Sequence, residues 1–145
     1  MRTAAAALAV LAVLACGHKS PPVAPELVRP EPAEHLTAIA TPDGVRLSWL
    51  RPLRYSGGQK MNDLGDFAIE RATGTAAAFT RVGRVEVTDQ TRFRKERHIE
   101  WTDKDVTPGE RYLYRVTAET LDGYRSAPAG PVAIQYGPPA ETPPP

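Results

Sequence analysis

Through residues 36–135 apolar side chains recur at every second position, and glycine and proline break the runs. That period puts successive side chains on opposite faces of an extended strand. Val45, Leu47 and Trp49 face one way while Arg46 and Ser48 face the other. They follow a Pro42, Asp43, Gly44 turn that reverses an earlier strand around residues 36–40. Phe67 and Ile69 alternate with Ala68 and Glu70. Val82, Val85 and Val87 predict a further short strand or pair, Ile99 and Trp101 another, and Tyr112, Tyr114, Val116 and Ala118 the clearest of all; residues 131–135 supply the last. About seven short strands without an amphipathic helix predict an all-β fold, a seven-stranded antiparallel sandwich. No internal repeat or heptad interrupts this pattern.

The pattern changes at both ends. Residues 18–34 hold Pro21, Pro22, Pro25, Pro30 and Pro32 with few large apolar side chains, which predicts an extended, partly polyproline tether. Residues 137–145 read the same way and predict a disordered tail. Ahead of the tether, an apolar run at residues 4–15 ends on the only cysteine of the chain, Cys16. The run is short of the ~20 apolar residues that a spanning helix needs, but with Arg2 before it, it suits the core of a secretory signal. Val13, Leu14, Ala15 and Cys16 resemble a bacterial lipobox. The resemblance implies cleavage of residues 1–15 and an acylated Cys16 as the first mature residue; composition and alternation then divide the rest into a lipidated Pro-rich tether over 16–34, a folded domain over 35–136 and a tail over 137–145. Two or three acyl chains would hold such a protein on a membrane, where one gives only marginal binding.

Charge and cysteine content narrow the picture. Lys plus Arg number 18 against 17 Asp plus Glu, so no global charge draws the chain to nucleic acid. With Cys16 acylated no thiol remains for a disulfide, and stability must come from packing.

Residues 106–118, Val-Thr-Pro-Gly-Glu-Arg-Tyr-Leu-Tyr-Arg-Val-Thr-Ala, resemble the loop and sixth strand of a fibronectin type III domain, an immunoglobulin-like sandwich. Trp49 falls where that family keeps its second-strand tryptophan, and the match covers roughly residues 34–136. Pro108 and Gly109 turn the chain, so that Tyr112 packs its ring inward while its hydroxyl bonds backbone, as in a tyrosine corner. Residues 51–66 and 88–97 are longer than a minimal domain needs.

The case for catalysis is thin. The chain has no Gly-x-Ser-x-Gly elbow, phosphate-binding glycine loop or His-Glu-x-x-His helix. His18, His35 and His98 are scattered; His98 and Glu100 share one strand face, but zinc sites want three or four ligands. Asp63 and Asp66 beside Gly65 suit a turn better than a calcium loop. Asp103 and Asp105 read as groups that cap and solvate the turn before Val106 rather than as an acid and base pair. No cofactor or metal is expected.

An interaction surface is better supported. Arg51, Arg54 and Tyr55 sit in one loop, Tyr124 and Arg125 in another, and Arg92, Arg94 and Lys95 flank Phe93 in a third; interfaces favour tyrosine and arginine. The fibronectin-like topology implies that all three loops emerge at one end, where the first strand also begins, so that the tether leaves from a basic apex facing the membrane. The seventeen residues 18–34, fully extended, reach about 50 Å. The leading expectation is a non-catalytic, lipid-anchored binding module of the bacterial cell envelope, with a protein or glycan partner. A second reading is an accessory lipoprotein of an envelope assembly, since residues 16–22 faintly resemble the start of short lipoproteins that accompany lipopolysaccharide export. A polysaccharide hydrolase, the third reading, needs an acid pair in a cleft. Gly17 stands where, in enteric bacteria, aspartate would favour inner-membrane retention, so the outer membrane, facing the periplasm, is the expected location.

Overall fold

The computed structural model describes residues 20–75 and 78–137. Cys16, the apolar run before it and the tail from residue 138 lie outside the described residues. Seven strands form: β1 (Glu34–Thr41), β2 (Gly44–Leu50), β3 (Leu64–Thr73), β4 (Thr80–Glu86), β5 (His98–Asp103), β6 (Arg111–Thr120) and β7 (Ala129–Gln135). A single helical turn, α1 (Asp89–Arg92), lies between β4 and β5. The strands make two antiparallel sheets, ordered β1-β2-β5 and β4-β3-β6-β7, which is the all-β sandwich that the alternation predicts.

The core is built from the inward half of each alternation. Val45, Leu47 and Trp49 from β2 meet Phe67 and Ile69 from β3 and Tyr114, Val116 and Ala118 from β6, all essentially inaccessible to water. The Trp49 ring meets Phe67 edge-on with centroids 5.4 Å apart, and each such buried apolar side chain contributes roughly 1.5–3 kcal/mol. The odd spacing of Val82 and Val85 has a local cause. Gly83 pairs with Ile69 and Arg81 with Glu70, so Val82 is the extra residue of a bulge within the single strand β4. The bulge serves a tryptophan: a Cβ on Gly83 would lie 2.3 Å from the Trp101 ring, so only glycine lets that ring lie against β4.

At the end of the sandwich where β2 begins and β5 ends, polar groups close on one another. The Thr107 amide donates to the Tyr112 hydroxyl oxygen at 2.8 Å, the expected tyrosine corner. Asp103 is 3% exposed and accepts from Arg71 at 2.7 Å and from the Tyr114 hydroxyl at 2.8 Å. Burial and then the neighbouring carboxylate push the Tyr114 phenol well above its ordinary range. Asp103 does cap the turn, accepting from the Asp105 amide at 3.0 Å. It is not solvated, however: the sequence does not show that Arg71, thirty-two positions away, arrives to neutralise it.

The tether also departs from expectation. Pro25–Leu27 forms a 3-10 turn, Leu27, Arg29 and Glu31 bond the loop after β2, Pro30 is fully buried and Ala33 belongs to the core, so residues 27–33 lie against the domain instead of running free. The cause is backbone pairing, which composition does not reveal.

Candidate functional site

Strand register gathers the candidate loops. Glu34 pairs with Leu50, Leu50 with His98, Leu64 with Thr120 and Asp66 with Glu86, so the loops 51–63, 87–97 and 121–128 and the incoming N-terminal segment all emerge at one end.

The loop after β2 is long because it folds into a small hairpin. Tyr55 donates its amide to the Gln59 carbonyl at 2.9 Å, Met61 to Leu53 at 2.8 Å, and Gly58 to Tyr55 at 2.8 Å. The N-terminal segment then adds alongside: Glu31 donates to Arg54, Ser56 to Arg29 and Gly57 to Leu27, at 3.0, 2.8 and 3.1 Å. A Cβ on Gly57 would come within 2.9 Å of the Leu27 carbonyl oxygen, so glycine permits this approach.

Arginines bind these loops together through backbone carbonyls. In the loop before β5, Thr88 caps α1 and Arg92 turns inward, donating to Leu64 at 2.9 Å and Val87 at 3.2 Å and pairing with Asp89. Arg51, only 6% exposed, donates to the Arg94 carbonyl, while Arg97 donates to the Arg51 carbonyl at 3.0 Å and pairs with Glu34 at 2.5 Å. Burial, and then the charge of Arg97, hold the Arg51 guanidinium below its ordinary pKa. Arg51 and Arg92 are therefore loop staples and not the free contact groups expected from sequence; nothing in their local sequence distinguishes them from Arg54 or Arg94.

The remaining candidates fall on two flanks. Arg54, Arg94 and Lys95 are exposed and, with Lys60, line a groove of about 810 Å³ whose apolar walls are Leu53, Met61 and Phe93. Phe93 is 70% exposed. Tyr124 and Arg125 lie on another flank, in a shallow recess of about 540 Å³ with Arg29, Glu70 and Arg115. Glu70 there is gripped by both donors of Arg115, at 2.8 and 3.3 Å, and that bond holds its carboxyl below the ordinary range. Tyr55 stands between, half-buried, donating to Asp63 Oδ1 at 2.6 Å; burial first, then this bond, push its phenol up to about 12. The Asp63 carbonyl accepts from the Leu121 amide at 2.8 Å, tying the loop after β6 to the hairpin.

Leu53 and Lys60 escape sequence reasoning because they stand near each other only after the hairpin closes. Phe93 carries a legible signal, an aromatic side chain inside the basic run from Arg92 to Arg97. Asp66 pairs with Arg84 at 2.6 Å, and His98 Nε2 lies 3.9 Å from Glu100 Oε1, with His98 and Glu100 both half exposed.

No protein-family model and no curated protein matches the chain. Solved structures do. The kinase region of twitchin from C. elegans superposes with a TM-score of 0.55 at 18% identity, covering 76% of this chain and 17% of that one. A crystal structure of titin domains gives 0.54 at 23% identity, covering 76% and 33%. A Fn3-like protein from Clostridium thermocellum gives 0.51 at 19% identity, covering 78% of this chain and 98% of that one. The chain thus spans a sixth and a third of the twitchin and titin structures but nearly the whole length of the Clostridium thermocellum one. Together with the strand order and the tyrosine corner, these likenesses establish that the seven strands β1–β7 have the fold of a fibronectin type III domain.

Proposed function

We propose that the protein is a non-catalytic interaction module, anchored through lipid on Cys16 to the bacterial envelope, that presents its loop apex as the contact surface. The path of the N-terminal segment carries this reading. The chain leading back toward Cys16 is bound along the hairpin after β2, which supports an anchor on the same side as the exposed cationic and apolar side chains. Interaction is supported over hydrolysis by three apex and recess carboxylates that are tied to partners: Glu70 to Arg115, Asp66 to Arg84 and Asp63 to Tyr55. Gly17 favours the outer membrane, facing the periplasm, as the location, with lipid, protein or glycan of the envelope as the contacted material. Mass spectrometry of the mature N-terminus tests the anchor. An acylated Cys16 as first residue is expected, and a Cys16→Ser variant retains its precursor without acyl mass. A wild-type N-terminus elsewhere, or one free of acyl chains, overturns the anchored reading.

A further inference from the structure

We infer that the apex docks on an anionic phospholipid bilayer, with Phe93 and Leu53 entering the headgroup region while Arg54, Lys60, Arg94 and Lys95 meet lipid phosphates. The inference rests on the anchored reading for the position of the bilayer. The contact itself rests on three features of the fold.

The first is where apolar surface is left uncovered. Of the seven large hydrophobic side chains exposed among the described residues, Val23, Leu27, Leu53, Phe93, Leu121 and Tyr124 lie in the incoming segment or the apex loops, and Ile39 alone lies elsewhere. Scattered exposure is ordinary, whereas its concentration at one pole, rimmed by charge, marks a contact surface. The second is charge. No acidic side chain among the described residues lines the groove, and four nearby carboxylates have partners: Glu34 with Arg97, Asp63 with Tyr55, Asp89 with Arg92, and Glu96 with the His98 amide. Among the described residues, no ion pair involves Arg54, Lys60, Arg94 or Lys95, so their charge is available to an anionic surface.

The third is reach. The first backbone bond to the hairpin is at Leu27, so at most ten residues, 17–26, separate Cys16 from the attached chain. In extended polyproline form these reach about 31 Å, against about 50 Å for an unattached tether. A domain held that close by its own apex stands with Phe93 toward the bilayer. Protruding apolar side chains set among cations suit a fluid, anionic interface, which needs no partner of fixed shape.

The single cysteine makes the test direct. The chain from Cys16 onward, which contains every strand and the whole core, is coupled through its thiol to a maleimide lipid in vesicles, so the result does not depend on acylation in cells. Tryptophan reporters replace Phe93 or Ile39, and quenching by brominated acyl chains is measured in neutral vesicles and in vesicles containing phosphatidylglycerol, at low and high salt. Phe93→Trp is expected to be quenched at least twofold more than Ile39→Trp, in anionic vesicles only. The quenching should fall with salt and disappear when Arg54, Arg94 and Lys95 are together changed to Glu. Equal quenching of the two reporters, or quenching indifferent to lipid charge and to the charge reversal, overturns the inference and assigns the apex to a protein or glycan surface. An unacylated native N-terminus combined with a quenched reporter would instead remove the anchor and leave the lipid contact standing.

Discussion

The two poles of the sandwich use the same residue types in opposite ways. Where β5 runs into β6, Arg71, Asp103 and Tyr114 consume one another's hydrogen-bonding capacity, and Arg71 also lies over the Tyr112 ring at 5.2 Å. At the loop apex, Arg51, Arg92 and Arg97 spend their donors largely on backbone carbonyls, holding loops in shape. Arg54, Lys60, Arg94 and Lys95 remain facing water beside exposed Leu53 and Phe93. The first pole is a stability device, since a buried charge is tolerable only when paired and hydrogen-bonded. The second is a scaffold for a surface. Substitutions at the two poles should therefore separate cleanly into global and local effects.

The largest effect is expected from Asp103→Ala, which leaves the mostly buried Arg71 guanidinium with only the Asp105 carbonyl and the Tyr114 hydroxyl without its acceptor. Removing one partner of a buried pair costs about 3–5 kcal/mol. Denaturant titration should show it as a loss of global stability, and a cost below about 1 kcal/mol would mean that this pole is not the closed one. Tyr112→Phe, which deprives only the Thr107 amide of its acceptor, should cost less, about 1–2 kcal/mol.

Those two residues mark where the sequence speaks and where it falls silent. Tyr112 announces its role locally, since the Pro108, Gly109 turn and the alternation through Ala118 lie within a dozen positions. Trp49 likewise follows from strand period alone and sits at 1% exposure. Asp103 does not, because its partner comes from β3, and a carboxylate before a turn looks the same whether solvated or buried. The apex shows the same division. Its location follows from topology, and its basic aromatic run is visible in the chain, yet which arginines are staples depends on carbonyls that only the folded loops aim at them. The docking of residues 27–33 is illegible for a related reason: it is made by main-chain bonds at positions where proline composition argues for free chain.

Arg51→Ala should break the comparison at the other pole. Its guanidinium reaches the Arg94 carbonyl across two loops, so its loss frees residues 92–97 without emptying the core. Hydrogen exchange should accelerate there and at the hairpin, while the β2, β3 and β6 amides keep their protection. Uniform acceleration through the strands would show that the apex is as much a part of the global fold as the closed pole.

Alkaline titration probes the same contrast more gently. The Tyr55 phenol has an ordinary value of 10.0 and is raised to about 12 by burial and by its bond to Asp63. A raised value means that the folded state favours the neutral phenol, so the contribution of Tyr55 is complete below pH 10 and is lost as pH climbs through about 12. Tyr114 acts in the same direction at higher pH. Tyr55→Phe should flatten the fall in stability within that window, and an unchanged slope would show that the hairpin does not sense this proton.

The smallest effect should come from the groove cations. Arg54 donates only to the Gly58 carbonyl, at 2.8 Å, and all of Arg54, Arg94 and Lys95 are exposed. Changing the three to Glu should shift stability by less than about 0.5 kcal/mol, because surface charges away from buried partners contribute little. Arg125 is a useful fourth site. It lies on the other flank, 3.5 Å from Glu119, so reversing it alone should leave contacts made through the groove intact. If the triple reversal unfolds the domain, the cations are structural and the division between the poles fails. If Arg125→Glu weakens association as much as the triple change does, the contact surface spans both flanks of the apex, and the recess beside Tyr124 belongs to it.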